Sequence, residues 1–187
     1  LYGEALNVVR KTNRQDVDVA YSYERIGDVL LINQNFEEAA YYFGAAIRLE
    51  KKLIGPQSPE VAKLYAQLAL ACAAERDCAL SYLDSAFTAV NYRGNGGAGF
   101  SEVNSPMALL EILKARGQIL HGLHAENADY LSEADKTFDL SLDLIDFIKQ
   151  KRDQGVFLSV LGFGSGNYGD DTMQALAAEG AVAVLLR

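Results

Sequence analysis

Two amphipathic patterns lie back to back between Asp16 and Glu50. Apolar residues recur in each at steps of three and four positions, which is the spacing of one face of an α-helix. The first pattern consists of Val19, Tyr23, Ile26 and Leu30. The second consists of Phe36, Ala39, Phe43, Ala46 and Leu49 or the nearby Ile47. Because the polar run Asn33–Asn35 between them is long enough for a tight turn, the sequence predicts two helices packed as an antiparallel hairpin.

Small residues occupy fixed positions on the inner faces of these two helices. Gly27 lies on the inner side of the first helix, and Ala39 and Ala46 lie on the inner side of the second. Small side chains let two helices approach closely, and the rings of Tyr23 and Phe43 can fill the spaces beside them. An ordinary helical hairpin needs apolar residues but no small ones at these offsets, so the pattern indicates a specific type of helix pair.

The same spacing recurs along the chain. An upstream copy lies 34 residues earlier and consists of Ala5, Val9 and Thr12. A downstream copy, offset by 42 residues, begins at Val61, and its second helix supplies Ala79, Leu83 and Ala86. A third copy places Leu113 and Gly117 on one helix and Ala134, Phe138 and Ser141 on the next. Spaced copies of this kind predict an array of stacked helix pairs.

The Gly27 position followed by the small–aromatic–small series Ala39, Phe43 and Ala46 resembles a tetratricopeptide repeat. The resemblance implies an all-α fold over residues 1–148, in which helix hairpins stack into a right-handed superhelix. It also implies an inner groove that binds a peptide or a partner protein. The extended connections and the 42-residue offset are similar to the repeats of kinesin light chains and their bacterial relatives.

The first helix of each pair would line that groove, and its polar positions are the candidate binding residues. On the first helix they are Tyr21, Glu24 and Asp28. By offset, the stripe continues with Lys63 and Gln67 in the second copy and with Glu111, Lys114 and Gln118 in the third. Mixed charge suits a peptide ligand held by hydrogen bonds, although the same residues could simply be solvated. The leading hypothesis is a protein-interaction scaffold.

The bulk composition restricts the possible partners. Half of the 187 residues are apolar and 22% are charged, which suits a globular chain with a real core. The net charge of −8 argues against a nucleic-acid partner, because phosphates need a cationic surface. There is no run of 18 apolar residues, so we expect no membrane span. Cys72 and Cys78 fall on helix positions, where a thiol is usually a small buried hydrophobe.

The start of the chain reads as the second helix of a repeat, Leu1–Asn13, whose first helix is missing. It has neither an initiator Met nor the order of regions typical of a signal peptide. We therefore expect the chain to be a fragment of a longer protein and assign it to the cytoplasm.

The glycine-rich segment Asn91–Asn104 interrupts the helical pattern. Four glycines fall within six positions, as in loops that cradle phosphate: Gly94, Gly96, Gly97 and Gly99. No Gly-Lys-Ser/Thr follows, however, and no strand precedes the segment. A flexible loop between helices is therefore the favoured interpretation.

His121 and His124 form an HxxH pair on the predicted helix Met107–Leu123 and could share a metal ion. Zinc needs a third and usually a fourth ligand, and the nearby Glu126 and Asp129 fall in a predicted loop. Exposed histidines at a helix end are the favoured interpretation. The sequence also contains no nucleophile–base pair, so we predict no catalytic residue, no metal and no cofactor.

The last 30 or so residues differ in character from the repeats. Gly155–Gly162 is an apolar run of strand length, and Thr172–Glu179 is a predicted short helix. This string resembles a late strand–loop–helix unit of bacterial von Willebrand factor type A domains, so residues 149–187 are expected to be an incomplete α/β piece. That family's metal site requires Asp-x-Ser-x-Ser. The string Asp139–Asp143 lacks the second Ser and falls in a helical pattern, so no such site is predicted.

A second resemblance leaves an alternative function open. The Ser105-Pro106 opening and the helix TFDLSLDLIDFI look like the repeats that precede bacterial caspase-like CHAT domains. That resemblance implies a non-catalytic regulatory arm of a multidomain peptidase, whose His–Cys pair would lie outside this chain. A regulatory arm of a von Willebrand factor A-type protein is the corresponding alternative for the tail.

Overall fold

The computed structural model describes residues 17–94, 96–125 and 127–153, and these ranges are helical, with no strand. Six α-helices and one 3-10 helix lie within them: α1 Val17–Ile32, α2 Phe36–Leu53, α3 Pro59–Ala71, α4 Arg76–Ala89, the 3-10 helix Gly96–Glu102, α5 Pro106–Leu123 and α6 Asp129–Asp153. The all-α prediction is confirmed for this part of the chain. The predicted helix Leu1–Asn13 and the predicted strand and helix of the tail lie outside the described residues.

The helices pack as consecutive pairs, as expected of a helical repeat. α1 packs on α2, α3 on α4 and α5 on α6, and α2 also packs on α3, which joins the first two pairs. The chain divides into two compact units, Leu1–Ala89 and Val90–Arg187. The first unit contains the first two helix pairs, and the second contains the third pair and the 3-10 helix.

The predicted turn between α1 and α2 is present. Gln34 has a φ of 61°, and Asn35 donates its backbone N–H to Leu30 O at 2.9 Å, so the chain reverses within three residues. Phe36, which we placed on the apolar face of α2, is 47% exposed. It is the first residue of α2 and lies beside the turn, where Ile32 at the end of α1 is also exposed. Its assignment to the core was wrong.

The core of the first unit contains the small residues that the sequence singled out. Ala39, Phe43 and Ala46 have no exposed surface, and Gly27 is also buried. Ala39, Phe43 and Ala46 form one apolar cluster with four other buried residues: Ile47, Leu64, Leu68 and Ala71. Since Leu64, Leu68 and Ala71 come from α3, the second helix pair closes over the face that the first pair leaves open.

Two Ser-Pro pairs begin helices, at Ser58-Pro59 and at Ser105-Pro106. Ser58 Oγ accepts a hydrogen bond from the backbone N–H of Val61 at 3.1 Å, and Ser105 Oγ accepts one from Ala108 at 3.2 Å. The proline that follows each serine occupies the first turn, where its missing N–H costs nothing. Both serines are buried, so the side-chain caps satisfy backbone groups that water does not reach.

The segment before α5 contains a 3-10 helix and an aromatic anchor, and its flexibility stays a prediction. Phe100, on the 3-10 helix, is 2% exposed and stacks on Tyr92 with ring centroids 6.2 Å apart. Its ring also lies 5.7 Å from that of Phe147 on α6. Asn104 donates its backbone N–H to Val90 O at 3.2 Å, which closes the segment at its base. Burial of one large ring opposes the conformational freedom of the glycines around it.

The long helix α6 continues through residue 148, the predicted end of the repeat domain, and ends at Asp153. Leu144, Ile145 and Ile148 are buried along it. Ser141 lies in the middle of this helix and donates its hydroxyl to Thr137 O at 2.9 Å. The string Asp139–Asp143 is therefore helical, as predicted, and does not form a metal-binding loop.

Candidate binding surface

Polar side chains join the first helices of the two pairs in the first unit. Gln67 Nε2 on α3 donates to Asp28 Oδ1 on α1 at 2.6 Å, across 39 residues of sequence. Both residues belong to the polar stripe predicted from the sequence. The hydrogen bond shows that equivalent faces of α1 and α3 lie side by side in this unit.

Arg25 is the cation at the centre of this surface. Its Nη2 lies 2.7 Å from Glu24 Oε1 and 3.1 Å from Asp28 Oδ2. The guanidinium also lies over the Tyr21 ring, 5.0 Å from the ring centroid. Tyr21 is 56% exposed, so it presents a ring to solvent beside three charged groups. An exposed aromatic ring beside fixed charges is a common feature of peptide-binding surfaces.

Burial has a larger effect on the pKa of the Asp28 carboxyl than the ion pair with Arg25 does. Burial raises the pKa of the Asp28 carboxyl; the charge of Arg25 opposes the shift, and that of Glu24 adds to it. Burial thus disfavours the ionised form of Asp28 even though the carboxylate has two partners, Arg25 and Gln67.

Glu50, near the end of α2, is a buried carboxylate whose Oε2 has no hydrogen-bond partner. The residue is 6% exposed. Burial raises its pKa, and the neighbouring carboxylates of Glu60 and Glu24 raise it further. Glu24 on α1 and Glu60 on α3 therefore both lie near enough to Glu50 on α2 to repel its negative charge. We call Glu24, Asp28, Glu50 and Glu60, together with Arg25 and Gln67, the acidic surface.

A second acceptor in the acidic surface is also unfilled. Gln67 uses its amide nitrogen on Asp28, and its Oε1 is buried without a hydrogen-bond partner. Unfilled buried acceptors are uncommon in folded proteins, and each costs roughly 1–3 kcal/mol. The acidic surface thus presents two acceptors that a donor could satisfy.

The remaining predicted residues are distributed between the two units. Lys63 lies half-buried on α3, one turn after Glu60. Glu111 and Lys114 are half-buried on α5 and Gln118 is exposed there, all in the second unit. The continuation of one binding surface onto α5 stays a prediction.

Three residues of the acidic surface were missed by the sequence analysis: Arg25, Glu50 and Glu60. The sequence did contain a signal for Glu50. It follows Phe43 by seven residues and Ala46 by four, a spacing that places a carboxylate on the inward face of the helix. A charged residue on a face that is otherwise apolar marks a functional candidate. Arg25 carries no comparable signal, because it follows Glu24 directly and looks like part of a solvated surface.

Other candidate groups do not assemble a metal centre in the described residues. His121 and His124 are exposed at the end of α5, with ring centroids 5.2 Å apart, and His124 Nδ1 contacts the His121 carbonyl oxygen. Nowhere in residues 17–94, 96–125 and 127–153 are three or more His, Cys, Asp or Glu side chains arranged to hold a metal ion. No helix in these ranges is both long and apolar enough to cross a membrane.

Comparison with known proteins does not identify the chain. A scan against models of protein families finds no match, and a search of curated proteins returns no significant one. The function is therefore argued from the acidic surface and the helix packing alone.

Proposed function

We propose that the chain is a non-enzymatic helical-repeat scaffold of the tetratricopeptide type, which binds a peptide or protein segment across α1 and α3. The packing of consecutive helix pairs supports a repeat protein. The buried small residues at Gly27, Ala39 and Ala46 support the tetratricopeptide type. Their positions are those on which the sequence resemblance rests.

The observation that carries the proposal is the hydrogen bond between Asp28 and Gln67. This bond joins the first helices of consecutive pairs into one polar surface. Side chains that only face solvent would make their hydrogen bonds to water and not to a neighbouring helix. The exposed ring of Tyr21 and the half-buried Lys63 lie on the same two helices. An extended peptide can contact all the groups that this surface offers: an aromatic ring, positive and negative side chains, and hydrogen-bond acceptors without partners.

The test is selection of short random peptides displayed on phage against the immobilised chain. We expect a consensus sequence to emerge, and we expect the triple variant Tyr21→Ala, Glu24→Ala, Gln67→Ala to lose binding of the selected peptides. The matched control is Tyr41→Ala, which removes an equally exposed ring from α2, outside the surface. The proposal fails if no consensus emerges, or if the triple variant remains folded by circular dichroism and binds as tightly as the control.

A further inference from the structure

We propose that the acidic surface binds a lysine or arginine side chain of the partner, with the Glu50 carboxylate as the principal ion-pair acceptor. This inference rests on the proposed function and specifies the partner's chemistry. It follows from the balance of charge and from the two unfilled acceptors.

The balance of charge at the surface is negative. Glu24, Asp28, Glu50 and Glu60 supply four carboxylates, and Arg25 is the cation among the six residues that define the surface. Arg25 is already shared between Glu24 and Asp28, so it does not neutralise Glu50 or Glu60. Lys63 follows Glu60 by one turn and offsets part of the remaining charge. An incoming anion would be repelled here and a cation attracted.

The two acceptors without hydrogen-bond partners indicate that the bound side chain is a hydrogen-bond donor. Glu50 Oε2 and Gln67 Oε1 are acceptors without partners, and both are buried. An ammonium group offers three N–H donors and a guanidinium five, and neither has an acceptor. A lysine or arginine side chain would therefore supply charge and donors together. Because Glu24 and Glu60 add negative charge around Glu50, a cation beside the Glu50 carboxylate would be attracted by all three groups.

Other occupants fit less well. A metal ion would need three or more carboxylate, His or Cys ligands around one point, and the described residues contain no such group. Lys51, next to Glu50 in sequence, donates to the Tyr65 hydroxyl at 2.6 Å and lies over its ring. The nearest lysine in the sequence thus makes its contacts with Tyr65.

The experiment measures binding of the phage-selected peptides to the full chain. We expect the selected peptides to share a Lys or Arg at one position. Replacing it by norleucine (for Lys) or citrulline (for Arg) keeps the length and removes the charge. Each replacement, and Glu50→Gln in the chain, should weaken binding by about tenfold or more. Combining the two changes should cost little beyond either one alone, because both remove the same ion pair.

The matched control is Glu37→Gln, the same substitution at an exposed position of α2, which should leave affinity unchanged. Peptides that bind with a consensus lacking Lys and Arg would overturn this inference and leave the scaffold proposal standing. Additive losses in the combined variants would also overturn it. If no peptide is selected at all, both proposals fail. A folded Glu50→Gln chain that binds as tightly as Glu37→Gln would exclude Glu50 as the acceptor.

Discussion

A Cβ atom on Gly27 would lie 2.6 Å from Cε1 of Phe43, closer than side-chain carbons approach in folded proteins. Phe43 has no exposed surface, so its ring fills the space that the missing side chain leaves. The third helix pair repeats the relationship, because a Cβ on Gly117 would lie 2.7 Å from Cζ of Phe138. In the second pair the corresponding residues are Ala69 and Leu83, both buried. A larger residue on the first helix is thus matched by a smaller one on the second.

Gly27→Ala should therefore destabilise the first unit even though alanine is the better helix former. Overpacking a close-packed core costs typically ~1–3 kcal/mol, against a gain of about 1 kcal/mol from helix propensity. We expect a net loss of about 1 kcal/mol in the free energy of unfolding, measured by urea denaturation. Gly44→Ala on α2 is the control. Its Cβ would meet only Arg48 Nη1 at 3.5 Å, so this variant should be more stable than the native chain.

The double variant Gly27→Ala, Phe43→Leu reproduces the Ala69 and Leu83 combination of the second pair. It should cost less than the sum of the two single substitutions, because the smaller leucine makes room for the new methyl group. Strict additivity of the three measurements would contradict the size matching between these two positions.

The helix pairs were predictable because their positions are encoded locally. Steps of three and four residues and a polar break each act over a few residues, so the hairpin of α1 and α2 follows closely from the sequence. Phe36 was misjudged, and Phe100 was not singled out, for the opposite reason. Whether a ring at the edge of an element is buried depends on which distant residues cover it, as Phe147 on α6 covers Phe100.

The binding surface was predictable only in part. Asp28 and Gln67 could be placed on one stripe because the repeat offset relates α1 to α3. Glu50 is on a second helix, which the repeat pattern assigns to the core. Its contribution depends on three helices meeting, and that proximity is a property of packing that no spacing along one helix conveys.

Glu50→Gln should stabilise the unbound chain at neutral pH. Burial, Glu60 and Glu24 raise the folded-state pKa of Glu50 above its ordinary value of 4.5, so the fold favours the protonated form. The stability that protonated Glu50 contributes to the fold is fully present below its pKa in the unfolded chain. This stability is lost as the pH rises through its pKa in the folded chain. Glutamine removes the penalty, for a gain on the order of 1 kcal/mol at pH 7 that should shrink as the pH falls toward 4.5.

The measurement is urea denaturation of both chains between neutral and mildly acidic pH. Glu133→Gln, an exposed position on α6, is the control and should change stability by less than ~0.5 kcal/mol. A Glu50→Gln chain that is less stable than the native one at pH 7 would show that the carboxylate stabilises the fold.

Ser58→Ala should weaken the start of α3. The substitution removes the hydroxyl that accepts from the Val61 backbone N–H in a buried setting, at an expected cost of about 1 kcal/mol. Ser58→Asp should retain most of the native stability, since a carboxylate oxygen can accept the same bond. Ser85→Ala is the control: Ser85 Oγ donates to Ser81 O on an exposed helix face, so its loss should be nearly neutral. Equal effects of Ser58→Ala and Ser85→Ala would contradict the capping role.

Cys72 should react slowly with alkylating reagents in the folded chain. Burial raises the pKa of the Cys72 thiol to about 12, and the side-chain hydrogen bond with Cys78 adds to this shift. Because only the thiolate is nucleophilic, iodoacetamide at pH 8 should modify Cys72 on the order of a hundredfold more slowly in the folded chain than in urea. Peptide mass spectrometry measures both rates in a Cys78→Ser variant, in which the effect of burial persists. Equal rates would show that the thiol is accessible and ionises normally.

Phe100→Ala should loosen the glycine-rich segment and destabilise the second unit. Removing a ring that is 2% exposed and lies against Tyr92 and Phe147 leaves a cavity, for which the usual cost is about 3–5 kcal/mol. Limited proteolysis should then cut between Gly94 and Asn104 at protease concentrations that leave the native chain intact, because backbone that is no longer anchored enters a protease site readily. Phe36→Ala, at a ring that is 47% exposed, is the matched control and should change neither stability nor cleavage appreciably. If the native chain is cut as fast as the Phe100→Ala variant, the segment is a flexible loop, and its glycines rather than Phe100 determine its behaviour.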